Sequence, residues 1–155
     1  MIGKRGMAGT LAGAAIALAG TTGVASAAPS ADPVQTYRNN QTGWCLDYNS
    51  RENVHSQGCN GGAWQQWRVH TWADGTKRFQ NVATGVCLAR DNMSYSVYGA
   101  QTCDSSTEQS WRVDHVSGGL VFRAQFGGFT DCLDDNYVDG VRAYPCNSGP
   151  YQVWY

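Results

Sequence analysis

The side chains able to do chemistry fall into three sets. Four carboxylates, Asp131, Asp134, Asp135 and Asp139, crowd into nine residues. Paired carboxylates are what glycoside hydrolysis requires, one as acid and one as base or nucleophile. Close neighbours on a polar stretch form a solvated turn more often than a tuned pair, and these four read as a turn. Three histidines, His55, His70 and His115, stand far apart with no nucleophile beside them, and no Gly-x-Ser-x-Gly occurs. The sequence presents no metal cluster, and neither a cofactor nor catalysis is expected. The third set is six cysteines, at 45, 59, 87, 103, 132 and 146. They form couples separated by 14, 16 and 14 residues. Structural zinc sites space their cysteines by two to four residues, so bridges within the couples, Cys45–Cys59, Cys87–Cys103 and Cys132–Cys146, are the better reading. Closing a loop of that length contributes about 3 kcal/mol in the chain-entropy picture.

Bridges need an oxidising compartment, and the start of the chain offers a route to one. Lys4 and Arg5 precede an apolar run from Ala8 to Val24, and Ala25-Ser26-Ala27 supplies small residues for cleavage. Residues 1–27 therefore read as a secretory signal, too short and glycine-rich for a membrane span, and the protein is expected outside the cell. Residues 28–155 carry nine basic and twelve acidic side chains, a net charge of −3, with Lys77 as the only lysine. That balance disfavours nucleic acid and anionic membrane as partners.

The couples belong to a larger repeat. Thr42-Gly43-Trp44-Cys45-Leu46-Asp47, Thr84-Gly85-Val86-Cys87-Leu88-Ala89 and Phe129-Thr130-Asp131-Cys132-Leu133-Asp134 run in parallel. Each is followed by its second cysteine and then by Gln65-Gln66-Trp67, Gln109-Ser110-Trp111 or Gln152-Val153-Trp154. The Gln-x-Trp elements recur after 44 and 43 residues, a period that marks a repeat architecture. Runs such as Trp67–Trp72, Trp111–Asp114 and Val141–Tyr144 alternate apolar and polar residues, as half-buried strands do. Gly, Asn, Asp and Ser separate them, and no amphipathic helix is visible. Residues 28–35, with Pro29 and Pro33, read as a flexible leader. Repeats of about 36–76, 77–118 and 119–155 follow.

Three such repeats, each closing on Gln-x-Trp six residues after a cysteine, resemble the ricin B-chain-like lectins, also called ricin-type carbohydrate-binding modules. The resemblance covers residues 36–155, and the Ala-rich leader is similar to those of secreted actinomycete proteins. It implies an all-β fold, a β-trefoil of twelve strands in three lobes. Trp67, Trp111 and Trp154, with Leu46, Leu88 and Leu133, occupy equivalent positions, so they face one shared centre.

The resemblance also implies a sugar site in each lobe: Asp two residues after the first cysteine, Gln four before the second, an aromatic two before it, and Asn directly before Gln-x-Trp. The third repeat fits best, with Asp134 and Tyr144 in place, Arg142 for the Gln and Tyr151 for the Asn, and Asp135 and Asn136 nearby. The first repeat has Asp47, His55 for the Gln, Gln57 for the aromatic, and Trp64 for the Asn. The second has Ala89, Gly99, Gln101 and Glu108, lacks the carboxylate unless Asp91 substitutes, and reads as scaffold. Gln65 and Gln152 are candidates either to orient the site or to satisfy the backbone. The expected function is a secreted carbohydrate-binding protein for a galactose-, xylose- or other glycan-type ligand. The alternatives are a targeting subunit for a separately encoded enzyme or toxin, and a protein-contact module such as a protease inhibitor.

Overall fold

In a computed structural model that describes residues 31–155, the alternating runs become eleven short strands. They are β1 (Val34–Gln35), β2 (Cys45–Asn49), β3 (Asn53–Gln57), β4 (Trp67–Thr71), β5 (Lys77–Asn81), β6 (Cys87–Arg90), β7 (Val97–Ala100), β8 (Trp111–Val116), β9 (Gly119–Ala124), β10 (Asp131–Asn136) and β11 (Gly140–Pro145). The only helical pieces among the described residues are three 3-10 turns, Ala63–Gln65, Thr107–Gln109 and Pro150–Gln152, and each ends on the Gln of a Gln-x-Trp. The expected signal, residues 1–27, and residues 28–30 of the expected leader lie outside the described residues.

Each Gln-x-Trp tryptophan pairs with a strand on both sides. Trp67 faces Gln35 and Asn81; Trp111 faces Lys77 and Ala124; Trp154 faces Leu120 and Asn39. The last pairing closes the sheet into a barrel. Leu120 and Trp154 exchange backbone bonds of 2.7 and 2.9 Å, as do Arg38 and Tyr155 at 2.8 and 2.9 Å. Closure leaves no long unpaired edge at this seam. Gly119 is required there, because a Cβ would strike the Trp154 carbonyl. Hairpins β2–β3, β6–β7 and β10–β11 cap the barrel, one per repeat. The architecture is a β-trefoil, with Trp154 at the twelfth strand position.

The core follows the repeat. Trp67, Trp111, Trp154, Leu46, Leu88 and Leu133 are all buried. Each indole N–H donates to the carbonyl of its own repeat's Leu, at 3.1, 3.1 and 3.0 Å. Tyr37, Phe79 and Phe122, themselves 42 and 43 residues apart, meet edge to face with centroids 4.9–5.6 Å apart, which is the favoured aromatic geometry. The disulfides are Cys45–Cys59, Cys87–Cys103 and Cys132–Cys146, with no free cysteine.

The flexible leader is corrected in its second half. Val34 and Gln35 pair with β4, Pro33 accepts a bond from the Val69 amide, and Asp32 meets His70 at 3.0 Å. Proline does not prevent this, since Pro33 lies outside the paired register and contributes only its carbonyl.

Candidate functional site

The third-repeat hairpin carries the site. Asn136 makes the turn: its Oδ1 accepts both the Val138 and Asp139 amides at 2.8 Å, and Gly140 supplies the positive φ that follows. That turn sets the β10–β11 register, which brings Asp134 directly opposite Arg142 and Cys132 opposite Tyr144. Arg142 Nε donates to Asp134 Oδ1 at 3.1 Å and Nη1 to Asp139 at 2.6 Å. Asn136 Nδ2 reaches the same Asp134 oxygen at 3.3 Å. Both bonds fall on Oδ1, so Oδ2 keeps its acceptor capacity. The guanidinium lies 4.1 Å over the Tyr144 ring, a cation–π contact. Asp134, Asn136, Asp139, Arg142, Tyr144 and Tyr151 line one open cleft of about 420 Å³, together with Tyr137, Val138 and Asn147. The position marked by Tyr137 in the hairpin turn had no counterpart in the sequence pattern; only its place in a turn beside Asn136 could have drawn notice.

The acidic cluster is not a solvated turn. Asp131, Asp134 and Asp135 are buried in β10, and only Asp139 sits in the turn. They do not form one acid pair: Asp134 and Asp135, successive on the strand, face opposite ways, and Asp131 and Asp135, four residues apart, are held by different repeats. Asp131 is paired with Arg90 of the second repeat at 2.6 Å. Asp135, expected near the sugar, turns instead to the first repeat, where Thr42 and Ser56 hydroxyls donate to it at 2.6 and 2.7 Å. Burial raises its carboxyl above the ordinary range, against the opposing effect of those two hydroxyls.

Gln65 and Gln152 are corrected as sugar contacts. Both are fully buried, and both amide ends are committed to the backbone. Gln65 accepts from the Asn60 amide and donates to the Gly58 carbonyl; Gln152 does the same with Asn147 and Pro145. Gln109 repeats the arrangement with Asp104 and Thr102. The glutamines lock the loop that leads from the second cysteine into the tryptophan.

In the first repeat Asp47 is opposite His55 and buried. Gln57, in the aromatic's position, donates to Asp47 Oδ2 at 2.7 Å, and Oδ1 is buried without a hydrogen-bond partner. His55 Nε2 stands 3.6 Å from that oxygen and 3.4 Å from Glu52. Trp64 is exposed, and its carbonyl anchors Asn81. The carboxylate is thus covered by Gln57 and His55, and Gln57 stands where the third repeat has the Tyr144 ring.

In the second repeat the register corrects the equivalences. Ala89 is opposite Tyr98, and Cys87 is opposite Ala100, so Tyr98 and Ala100, not Gly99 and Gln101, match Arg142 and Tyr144. The longer loop between its cysteines adds one residue beyond β7, and a one-residue shift exchanges the two faces of a strand. Gly99 serves packing: a Cβ there would fall into the Tyr48 ring of the first repeat. Asp91 does not replace the missing carboxylate. Its Oδ1 accepts from the Met93 amide and the Ser94 hydroxyl, and these bonds hold its carboxyl below the usual value. With no acid at 89, and Ala100 where the third repeat has Tyr144, this hairpin builds no site of its own.

A closed threefold β-barrel capped by three hairpins, one of them holding a shallow polar and aromatic cleft, defines the class: a trefoil of the lectin type. The chain belongs to the ricin-type β-trefoil lectin domain family, whose model matches residues 33–154. Such domains are carbohydrate-binding modules. Solved structures of the same fold include the designed threefold-symmetric protein ThreeFoil, at 24% identity and a TM-score of 0.68, covering 78% of this chain and 95% of that one. The Rhizoctonia solani agglutinin is 22% identical with a TM-score of 0.67, covering 84% and 96%. The Macrolepiota procera ricin B-like lectin, solved in complex with lactose, is 15% identical with a TM-score of 0.66, covering 81% and 94%. No curated protein matches the sequence.

Proposed function

We propose that this protein is a secreted, non-catalytic lectin whose working sugar site is the cleft of the third repeat. The observation that supports it is the meeting, in one open cleft, of a carboxylate with spare acceptor capacity and three tyrosine rings. Asp134 Oδ2 accepts a hydrogen bond from a sugar hydroxyl. Arg142 and Asn136, already fixed on Oδ1, hold that carboxylate in position; the Asn136 side-chain amide is spent on Asp134 and Asp139, and Arg142 presents its remaining N–H donors to neighbouring sugar oxygens. Charge-assisted bonds of this kind contribute about 1.5–3 kcal/mol each. Tyr137, Tyr144 and Tyr151 supply apolar faces for the C–H side of the ring. Because Arg142 already lies on Tyr144, that tyrosine positions the guanidinium as well as forming a wall.

The test is a glycan array probed with residues 28–155, followed by titration of Asp134→Asn. Retention on neutral glycans, reduced at least tenfold in the variant with its melting curve unchanged, is the expected result. A silent array, or a variant that binds like the parent, overturns the reading.

A further inference from the structure

The cleft does not end where one sugar would. Its tyrosines continue on both sides into aromatic side chains contributed by the other two repeats. Tyr137 meets Trp44 of the first repeat edge to face, with centroids 5.6 Å apart, and meets Tyr151 in the same manner at 6.2 Å. Its hydroxyl donates to the Gln41 carbonyl at 3.1 Å, which ties the turn of the third hairpin to the first repeat. On the opposite side Tyr144 meets Tyr95 of the second repeat at 5.6 Å. The Ala143 amide donates to the Tyr95 carbonyl at 2.7 Å, so this junction is fixed as well. Trp44, Tyr95, Tyr137 and Tyr144 are 38%, 50%, 57% and 37% exposed. Core packing accounts for none of them, and they form two ring pairs, Trp44–Tyr137 and Tyr95–Tyr144, joined across the cleft that Tyr137 and Tyr144 both line, unlike the scattered apolar residues normal on a surface.

The hollows adjoin in the same order. A second one, of about 310 Å³, is lined by Tyr95, Ser96 and Val141 and shares Asp139 and Arg142 with the cleft. A single sugar can occupy only one side of that shared wall. The charged groups at the wall, Asp134, Asp139 and Arg142, leave it net negative, which disfavours an anionic ligand.

We infer that the row from Trp44 through the third-repeat cleft to Tyr95 is an extended groove for a neutral, linear polysaccharide, with Trp44 and Tyr95 as flanking platforms for successive sugars. This rests on the sugar-site reading above. Trp44 and Tyr95 stack on sugars that a monosaccharide does not possess, so their contribution grows with chain length while that of Asp134 does not.

Titration calorimetry with xylo-, cello- and galacto-oligosaccharides of one to six units tests the groove on the parent, Trp44→Ala and Tyr95→Ala. The expected result is affinity rising about tenfold or more from the single sugar to the longest chain in at least one series. Each variant should lose most of that gain while binding the single sugar like the parent, and both should melt like the parent. Tyr95→Ala alone carries the test if Trp44→Ala folds poorly. Affinity independent of length, or variants that bind long chains like the parent, overturns the groove and leaves the single-sugar site standing. Absence of binding in all three series at millimolar concentration overturns both.

Discussion

The residue after each site position does a different job in each repeat, and the three jobs form a ring. Tyr48 fills the space left by Gly99 of the second repeat and accepts a bond from Gln101; Arg90 pairs with Asp131 of the third; Asp135 accepts from Thr42 and Ser56 of the first. Each clasps one repeat to the next by different chemistry. No sequence pattern signals this, because the shared feature is position and not residue type. The same is true of Gln57, which covers Asp47 and which the sequence shows only as a missing aromatic. Asp134 and Tyr144 were legible, since the acid and ring stand at fixed offsets from the cysteines. Asp135 carries a pH signature. Its folded carboxyl binds a proton more tightly than the unfolded chain does, so its contribution to stability is present at low pH and lost as pH rises out of the carboxylate range. The stability of the parent relative to Asp135→Asn, measured by urea unfolding, is expected to fall from about pH 4 to about pH 7. A constant difference would show that burial is not felt by this group.

At the scale of elements, the Gln-x-Trp unit is a single device. A 3-10 turn holds the glutamine, the glutamine ties down the loop, and the tryptophan enters the barrel between two strands. Trp111→Ala is expected to lose about 3–5 kcal/mol of stability by thermal or denaturant unfolding, as other buried aromatic truncations do. Gln152→Ala strips two backbone groups of their partner and is expected to cost about 1–3 kcal/mol. It should leave glycan affinity unchanged although it adjoins the cleft; a selective loss of binding would return Gln152 to the site. The repeat made the tryptophans and leucines readable as core. It left Tyr37, Phe79 and Phe122 unread, because two residue types share the position and the third precedes its cysteine by ten residues where the others do so by eight. Asn39 and Asn81, which cap the Thr-Gly loops through their Oδ1, were equally readable in principle, as Asn-x-x-Thr-Gly occurs twice. The third repeat has Ala124 instead and turns through Gly127, Gly128 and the positive-φ Phe129.

For the whole molecule, threefold symmetry of the scaffold coexists with asymmetry of the surface. Core, barrel pairing and disulfides repeat; the hairpin faces and the clasps between repeats do not, and only the third hairpin combines a cleft-lining carboxylate with tyrosine rings. Non-reducing peptide mapping of the protein is expected to return three bridges, one per repeat, and any cross-repeat link would contradict the pairing of Cys45–Cys59, Cys87–Cys103 and Cys132–Cys146. On this reading sugar binding centres on the third-repeat cleft, flanked by Trp44 and Tyr95. This is tested most directly by residue-resolved amide shifts in a titration with a glycan selected on the array. The shifts should centre on Asp134, Asn136, Arg142, Tyr144 and Tyr151 and reach no further than the flanking Trp44 and Tyr95, with the paired strands around Ala89 still. Shifts centred on Asp47, His55 and Gln57, or spread equally over all three hairpins, would contradict it.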